Sequence, residues 1–236
     1  MQNKIQILST KKISDSLIGI AGNNNICIDQ LSFIETKEVV TRETRERIFE
    51  LSKQKVDVIF TSSKAVNAVA KLIPGKVFWK IFCIEPATKT LVENYFEKAC
   101  IADTATNADG LADKIISDNS VKEIVFFCGN QRRNSLPEKL RNNEIKVEEL
   151  VVYKTIEKPE LVSKNYDGIL FFSPSAVRSF FTLNKIKEVT TLFAIGNTTA
   201  EELKLFTKAK IIIAENPDHE EIISDVIKYY TSIKIL

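Results

Sequence analysis

Short apolar runs, rich in β-branched and aromatic residues, recur along the chain. They are KIQIL (4–8), NICI (25–28), VDVIF (56–60), VFWKIFCI (77–84), ACIA (99–102), EIVFFC (123–128), KVEEL (146–150), GILFF (168–172), LFAI (192–195) and AKIIIA (209–214). Their length and composition are those of strands. Between most of them, apolar positions return every three to four residues, as in Ala65, Val66, Val69, Ala70 and Ile73. That is the period of a helix with one buried face. Strand–helix alternation predicts parallel sheets flanked by helices. So many strands exceed one small sheet, and the pattern predicts two domains.

An internal repeat sharpens the division. Shifting the chain by about 111 residues lays FTSSKAV (60–66) on FFSPSAV (171–177) and FCIEPAT (82–88) on FAIGNTT (193–199). Ser62 then meets Ser173, Ala65 meets Ala176, and Thr88 meets Thr199; Leu111 falls on Ile222. A shift of about 119 lays NICIDQL (25–31) on EIKVEEL (144–150) and QILST (6–10) on VFFCG (125–129). With the five strand–helix units of one domain labelled A to E, the chain reads D-E, A-B-C-D-E, A-B-C. One domain is therefore expected from residues 1–36 and 156–236, and an inserted one from 40–150. The crossings, SFIETKEVV (32–40) and VVYKTIEKP (within 151–159), are β-prone and lack glycine. They predict a two-stranded connection, stiffer than a Gly/Ser linker yet able to hinge.

Composition adds exclusions. Of 236 residues, 44% are hydrophobic and 27% charged, with net charge +2, the profile of a soluble globular protein. Nothing in that charge calls for a nucleic-acid partner. No apolar run nears the ~18 residues of a membrane span, and MQNKIQILST lacks a signal peptide's apolar region. The expectation is a cytoplasmic protein with no membrane or nucleic-acid partner. Cys27, Cys83, Cys100 and Cys128 are scattered, with no CxxC pair, and read as buried thiols. His219 is the only histidine, so no transition-metal site is expected. In ENPDHEEI, Asp218 and Glu221 read as a helix cap and its capping-box partner. Neither GxGxxG nor GxxxxGK[ST] occurs. Phe171 and Val177 stand where a GxSxG elbow around Ser173 or Ser175 needs glycines, which removes a serine-hydrolase reading.

Chemistry is expected at the strand-to-helix joins, because open parallel sheets bind ligands beyond the carboxyl ends of their strands. The joins are Thr10-Lys11-Lys12, Thr61-Ser62-Ser63-Lys64, Glu85-Pro86-Ala87-Thr88, Gly129-Asn130-Gln131-Arg132-Arg133, Ser173-Pro174-Ser175 and Gly196-Asn197-Thr198-Thr199. Nearly all carry hydroxyl, amide or basic groups. Helix starts offer unpaired N–H groups and partial positive charge, which suit carboxylates and phosphates. The same residues also suit plain capping: Ser173 before Pro174 is an ordinary helix start, and Thr198 or Thr199 reads equally as a cap. Both readings stand at each join.

The series FTSSKAV, FFCGNQRRNSLPEKL, VEELVVYKT, FFSPSAV and FAIGNTTAEEL, in that order between about 56 and 227, resembles the uroporphyrinogen-III synthases. The N-terminal ILSTKK stands where that family often has a Thr-Arg pair. The resemblance implies two doubly wound, flavodoxin-like α/β domains, one inserted in the other, joined by a two-stranded β-ladder with a cleft between them. It implies a monomer acting on hydroxymethylbilane, a linear tetrapyrrole with eight carboxylates, without cofactor or metal. The terminal hydroxyl is lost and the ring closes with inversion of the last pyrrole through a spiro intermediate, giving uroporphyrinogen III. Tyr153 matches the family's tyrosine at the second crossing and is expected to place the leaving hydroxyl or protonate it. Thr198 and Thr199 match its paired threonines, Ser173 and Ser175 its Ser-Pro-Ser turn, and Thr61, Ser62, Ser63 and Lys64 the same turn in the other domain. With Thr10, Gly129 and Gly196 from the other joins, these are the expected substrate-binding positions. Two residues depart from the pattern: Glu85 replaces a glycine, and Lys89 replaces the alanine after the threonine. A glutamate there repels a carboxylate. Arg132 and Arg133 read equally as substrate ligands or as a solvated helix start. A second class fits the same joins: a non-catalytic two-domain binding protein for an anionic metabolite, which has no need of Tyr153.

Overall fold

The computed structural model describes residues 4–96 and 101–233. The chain opens with β1 (Ile5–Ser9), α1 (Asp15–Asn23), β2 (Ile26–Gln30) and β3 (Ile34–Glu38). There follow α2 (Arg42–Ser52), β4 (Asp57–Phe60), α3 (Ser63–Ala70), β5 (Lys80–Ile84), α4 (Ala87–Tyr95), β6 (Ile101–Ala105), α5 (Ala108–Ser117), β7 (Glu123–Gly129), α6 (Ser135–Asn142) and β8 (Lys146–Glu157). The remainder is β9 (Gly168–Phe171), α7 (Pro174–Leu183), β10 (Thr191–Ala194), α8 (Asn197–Lys204), β11 (Ile211–Ile213) and α9 (His219–Ile233). Two compact units result: one of Met1–Glu35 with Ile156–Leu236, the other of Thr36–Thr155. Among the described residues no helix is long and apolar enough to cross a membrane.

The first unit holds a five-stranded parallel sheet in the order β2-β1-β9-β10-β11. The second holds β8-β7-β4-β5-β6, parallel throughout, with β3 added beside β8. In repeat letters, both sheets read E-D-A-B-C. Counted along the chain, however, the first is 2-1-3-4-5, the flavodoxin order, whereas the second is 3-2-1-4-5 within its own parallel core when β4 enters first and β7 and β8 come last. The spatial sheet is the same; only the strand at which the chain enters differs. The flavodoxin-like expectation thus describes the first unit, and the second is its circular permutation.

β8 runs unbroken for 12 residues, where the sequence pattern predicts a strand ending at 150 and a separate crossing from 151. Val147, Val151, Val152, Thr155 and Ile156 are β-branched, and neither glycine nor proline interrupts them, so nothing stops the strand. Val39 N donates to Val152 O and Lys158 N to Phe33 O, so the two crossing segments pair antiparallel. β5 is shorter than VFWKIFCI: Val77 and Trp79 are buried ahead of it, with Trp79 Nε1 donating to Leu51 O at 2.8 Å. Half of the expected ACIA strand, with Cys100, lies outside the described residues.

Each sheet is covered on both faces. In the second unit, Val58 and Phe60 join one apolar cluster and Ile59 the other, the alternation a strand imposes. In the first, Ile7 and Leu170 face one cluster while Leu8, Ile169 and Phe171 face the other. Cys83 and Cys128 sit in these cores, where burial pushes both thiols up to about 11. Cys27 is half-buried.

Candidate functional site

Each sheet reverses its winding between strands D and A. That switch point lies between β1 and β9 in the first unit and between β7 and β4 in the second. Crevices for ligands open at the carboxyl ends of such strand pairs.

In the first unit the switch-point residues are Thr10, Ser173 and Ser175. Thr10 is 1% exposed. Both its N–H (3.0 Å) and its hydroxyl (2.8 Å) donate to Leu170 O. Its side chain therefore ties β1 to β9. Ser173 caps α7, its Oγ accepting the Ala176 N–H at 3.2 Å and lying 3.1 Å from Ser175 Oγ. Ser173 is half-open, but Ser175 is only 3% exposed, on the inner side of the first turn. One strand further, Gly196 precedes α8 and has no side chain to cap it. Neither threonine caps this helix, because both lie within it. Thr198 is exposed, while Thr199 is 1% exposed, packed on the buried face beside Ala200. Among the described residues, the backbone amides of Ser175, Asn197 and Thr198 have no protein acceptor. Near them, Lys11 Nζ lies 3.2 Å from His219 Nε2, and the His219 ring meets Phe172 edge-on. Desolvation, then the Lys11 ammonium, holds the imidazole pKa below its usual value. Asp218 caps α9 through the Glu220 N–H at 2.6 Å.

In the second unit, Thr61, Ser62 and Ser63 are half-exposed at the end of β4. Ser62 caps α3 by accepting the Lys64 N–H at 3.2 Å. Ser63 Oγ lies 3.5 Å from the hydroxyl of Thr88 at the start of α4. Lys64 Nζ donates to Thr36 Oγ1, and desolvation lowers its pKa. Gly129 ends β7 and is buried. A Cβ on it would lie 2.5 Å from Tyr153 Cε2 and Cζ and 2.8 Å from Tyr153 Oη. Gly129 is thus the seat of the Tyr153 ring rather than an open backbone surface. The structure brings together two candidates that stand 24 positions apart in the sequence. Tyr153 is half-buried, its ring against the cluster of Phe60 and Phe127, and no protein group among the described residues bonds its hydroxyl.

Two charged joins resolve into internal pairs. Glu85 Oε2 accepts from Lys89 Nζ (3.4 Å) and from Thr104 Oγ1 (3.1 Å). The two departures from the family pattern compensate one another, and their i,i+4 spacing was a signal for it. Arg132 is bound to Glu149, which also takes Arg141 at 2.7 Å. It is therefore neither a free ligand nor a plainly solvated side chain. Arg133 is exposed. Among the described residues no group of three His, Cys, Asp or Glu side chains converges to hold a metal ion.

Two permuted copies of one parallel α/β sheet, each with hydroxyl-bearing helix starts at its switch point, define a class: a two-unit parallel α/β protein. A family model described as uroporphyrinogen-III synthase HemD matches residues 26–224, and the chain belongs to that family. The uroporphyrinogen-III synthase of Saccharomyces cerevisiae (strain ATCC 204508 / S288c) is 30% identical over 122 residues. That match takes in 48% of this chain and spans 42%, under half, of the yeast protein. The crystal structure of uroporphyrinogen-III synthetase from Helicobacter pylori 26695 superposes with a TM-score of 0.67 at 20% identity, over 95% of this chain and 99% of that one. A mutant uroporphyrinogen III synthase from the extremely thermophilic bacterium Thermus thermophilus gives 0.64 at 11% identity, over 98% and 100%. These last two likenesses are of fold.

Proposed function

We propose that this chain is a uroporphyrinogen-III synthase, converting hydroxymethylbilane into uroporphyrinogen III with loss of water and inversion of the terminal pyrrole. The observation that carries the reading is the family match across residues 26–224. On this reading the protein is a monomeric, cytoplasmic enzyme without cofactor and without a nucleic-acid partner; size-exclusion chromatography checks the first of these.

Tyr153 Oη, bonded by no group among the described residues, donates a proton to the terminal hydroxyl, which departs as water and leaves an azafulvene cation. The substituted carbon of the last pyrrole attacks, and the spiro intermediate rearranges to the inverted ring. The proton lost by the closing pyrrole restores the phenol. Spontaneous closure gives the unflipped isomer, so selectivity comes from holding the chain of pyrroles in one conformation. The half-open Ser62, Ser63 and Ser173, the exposed Thr198, the Lys64 ammonium and the unpaired amides of Ser175, Asn197 and Thr198 serve as carboxylate ligands. With their side chains buried, Ser175 contributes through its amide and Thr10 and Thr199 through packing, their own amides being donated to Leu170 O and Gly196 O.

The test supplies hydroxymethylbilane, oxidises the products and resolves isomers I and III by chromatography. Isomer III in proportion to enzyme is expected. Isomer I alone, at the spontaneous rate, overturns the reading. Tyr153→Phe should lose turnover by about 100-fold, within the range of a lost general acid. Thr198→Ala should raise KM about tenfold or more, the effect of one lost hydrogen bond to a charged group, about 1.5–3 kcal/mol. An unchanged KM removes Thr198 from the site.

A further inference from the structure

β7 and β8 pair in step as far as Cys128 with Val151, and the next pair is Gly129 with Tyr153. Val152 is an extra residue on β8, a bulge. A regular strand sends successive side chains to opposite faces. Here Val152 and Tyr153 both pack against the cluster built on Phe60, Trp79 and Phe127. Bulges re-aim side chains in this way, at the cost of a broken ladder. The broken ladder is mended by a single residue. Asn130 N donates to Tyr153 O at 3.2 Å, and Asn130 Oδ1 accepts the Thr155 N–H at 2.8 Å. These two bonds fix the peptide groups on the carboxyl side of Tyr153, while Gly129 leaves room for its ring. Asn130 is itself exposed, so core packing does not account for it.

We propose that Asn130 is a positioning residue that holds the bulge and thereby aims the Tyr153 hydroxyl. The inference rests on the reading of Tyr153 as proton donor. A misplacement of about 1 Å costs up to 100-fold in rate, and loss of one of two tethers should cost on the order of tenfold. The experiment measures kcat, KM, isomer ratio and thermal midpoint for Asn130→Ala, Asn130→Asp, Tyr153→Phe and the double variant Asn130→Ala/Tyr153→Phe. Asn130→Ala should lower kcat about tenfold at unchanged KM, and Asn130→Asp, whose carboxylate still accepts the Thr155 N–H, should restore it. In the Tyr153→Phe background, Asn130→Ala should add nothing, because no hydroxyl remains to be aimed. Equal losses of kcat in both backgrounds, or a folded Asn130→Ala with parental kcat, overturn the inference while leaving the Tyr153 reading intact. Full turnover by Tyr153→Phe alone overturns the Tyr153 reading and the inference with it.

Discussion

Adding one methyl group at Gly129 tests the geometry around Tyr153 most directly. The new Cβ would stand 2.5 Å from two ring carbons. Ordinary carbon–carbon contact is about 3.5–4.0 Å, so the ring must retreat by about 1 Å. The apolar cluster behind it limits that retreat. Overpacking of this kind costs about 1–3 kcal/mol. No described glycine has a positive φ, so alanine at 129 meets no backbone strain. Its smaller unfolded-state entropy returns about 0.4–1 kcal/mol. The net expectation for Gly129→Ala is a loss of about 1–2 kcal/mol in stability, with turnover falling about 100-fold from the displaced hydroxyl. Urea unfolding read through the single tryptophan, Trp79, which stacks on Phe127 in the same cluster, reports the first; isomer III formation reports the second. In a Tyr153→Ala background the ring is gone, and Gly129→Ala should become neutral or slightly stabilising. Parental stability and turnover in Gly129→Ala, or an equal loss in both backgrounds, would refute the reasoning.

Other substitutions separate packing from binding. Thr10→Val should cost about 0.5–1.5 kcal/mol, because Leu170 O keeps the Thr10 N–H, and should leave KM unchanged; a raised KM would put its hydroxyl on the substrate. Ser179 is fully buried in α7 with no partner for its Oγ among the described residues, and the repeat sets Ala68 opposite it. Ser179→Ala should therefore stabilise by roughly 1 kcal/mol in a denaturant titration. The hydrogen bond from Lys80, then that from Ser120, lowers the Asp118 pKa to about 2. A depressed carboxyl stabilises the fold above its unfolded pKa of about 4 and loses that contribution as pH falls toward 2. Asp118→Asn should accordingly be less stable than the parent at pH 7, the difference closing as pH falls through 2; a pH-independent difference would refute the assignment.

The sheets were legible because the repeat offset stays constant over several units. Strand D of one domain can be recognised as QILST and of the other as EIVFFC without knowing either sheet. The chemistry was legible only to the level of joins. Which hydroxyl of a pair faces outward depends on helix phase at the first turn, and that phase is set by packing. Thr198 and Thr199 are adjacent and chemically alike, yet Ala200 and Leu203 rotate Thr199 inward. The Gly129–Tyr153 contact had no signal in spacing, because a one-residue bulge creates it. The Glu85–Lys89 pair, by contrast, stood at helical spacing and was readable.

The permuted strand order has a consequence for synthesis on the ribosome. β1 and β2 are complete by residue 30, but β9, the other partner of β1, does not begin until residue 168. At about 5–20 residues per second, that gap lasts roughly 7–30 s. During it β1 presents an unpaired edge, while every strand of the second sheet emerges in one continuous stretch, 34–157. The inserted unit is therefore free to fold first, and the early strands wait for the rest of their own sheet.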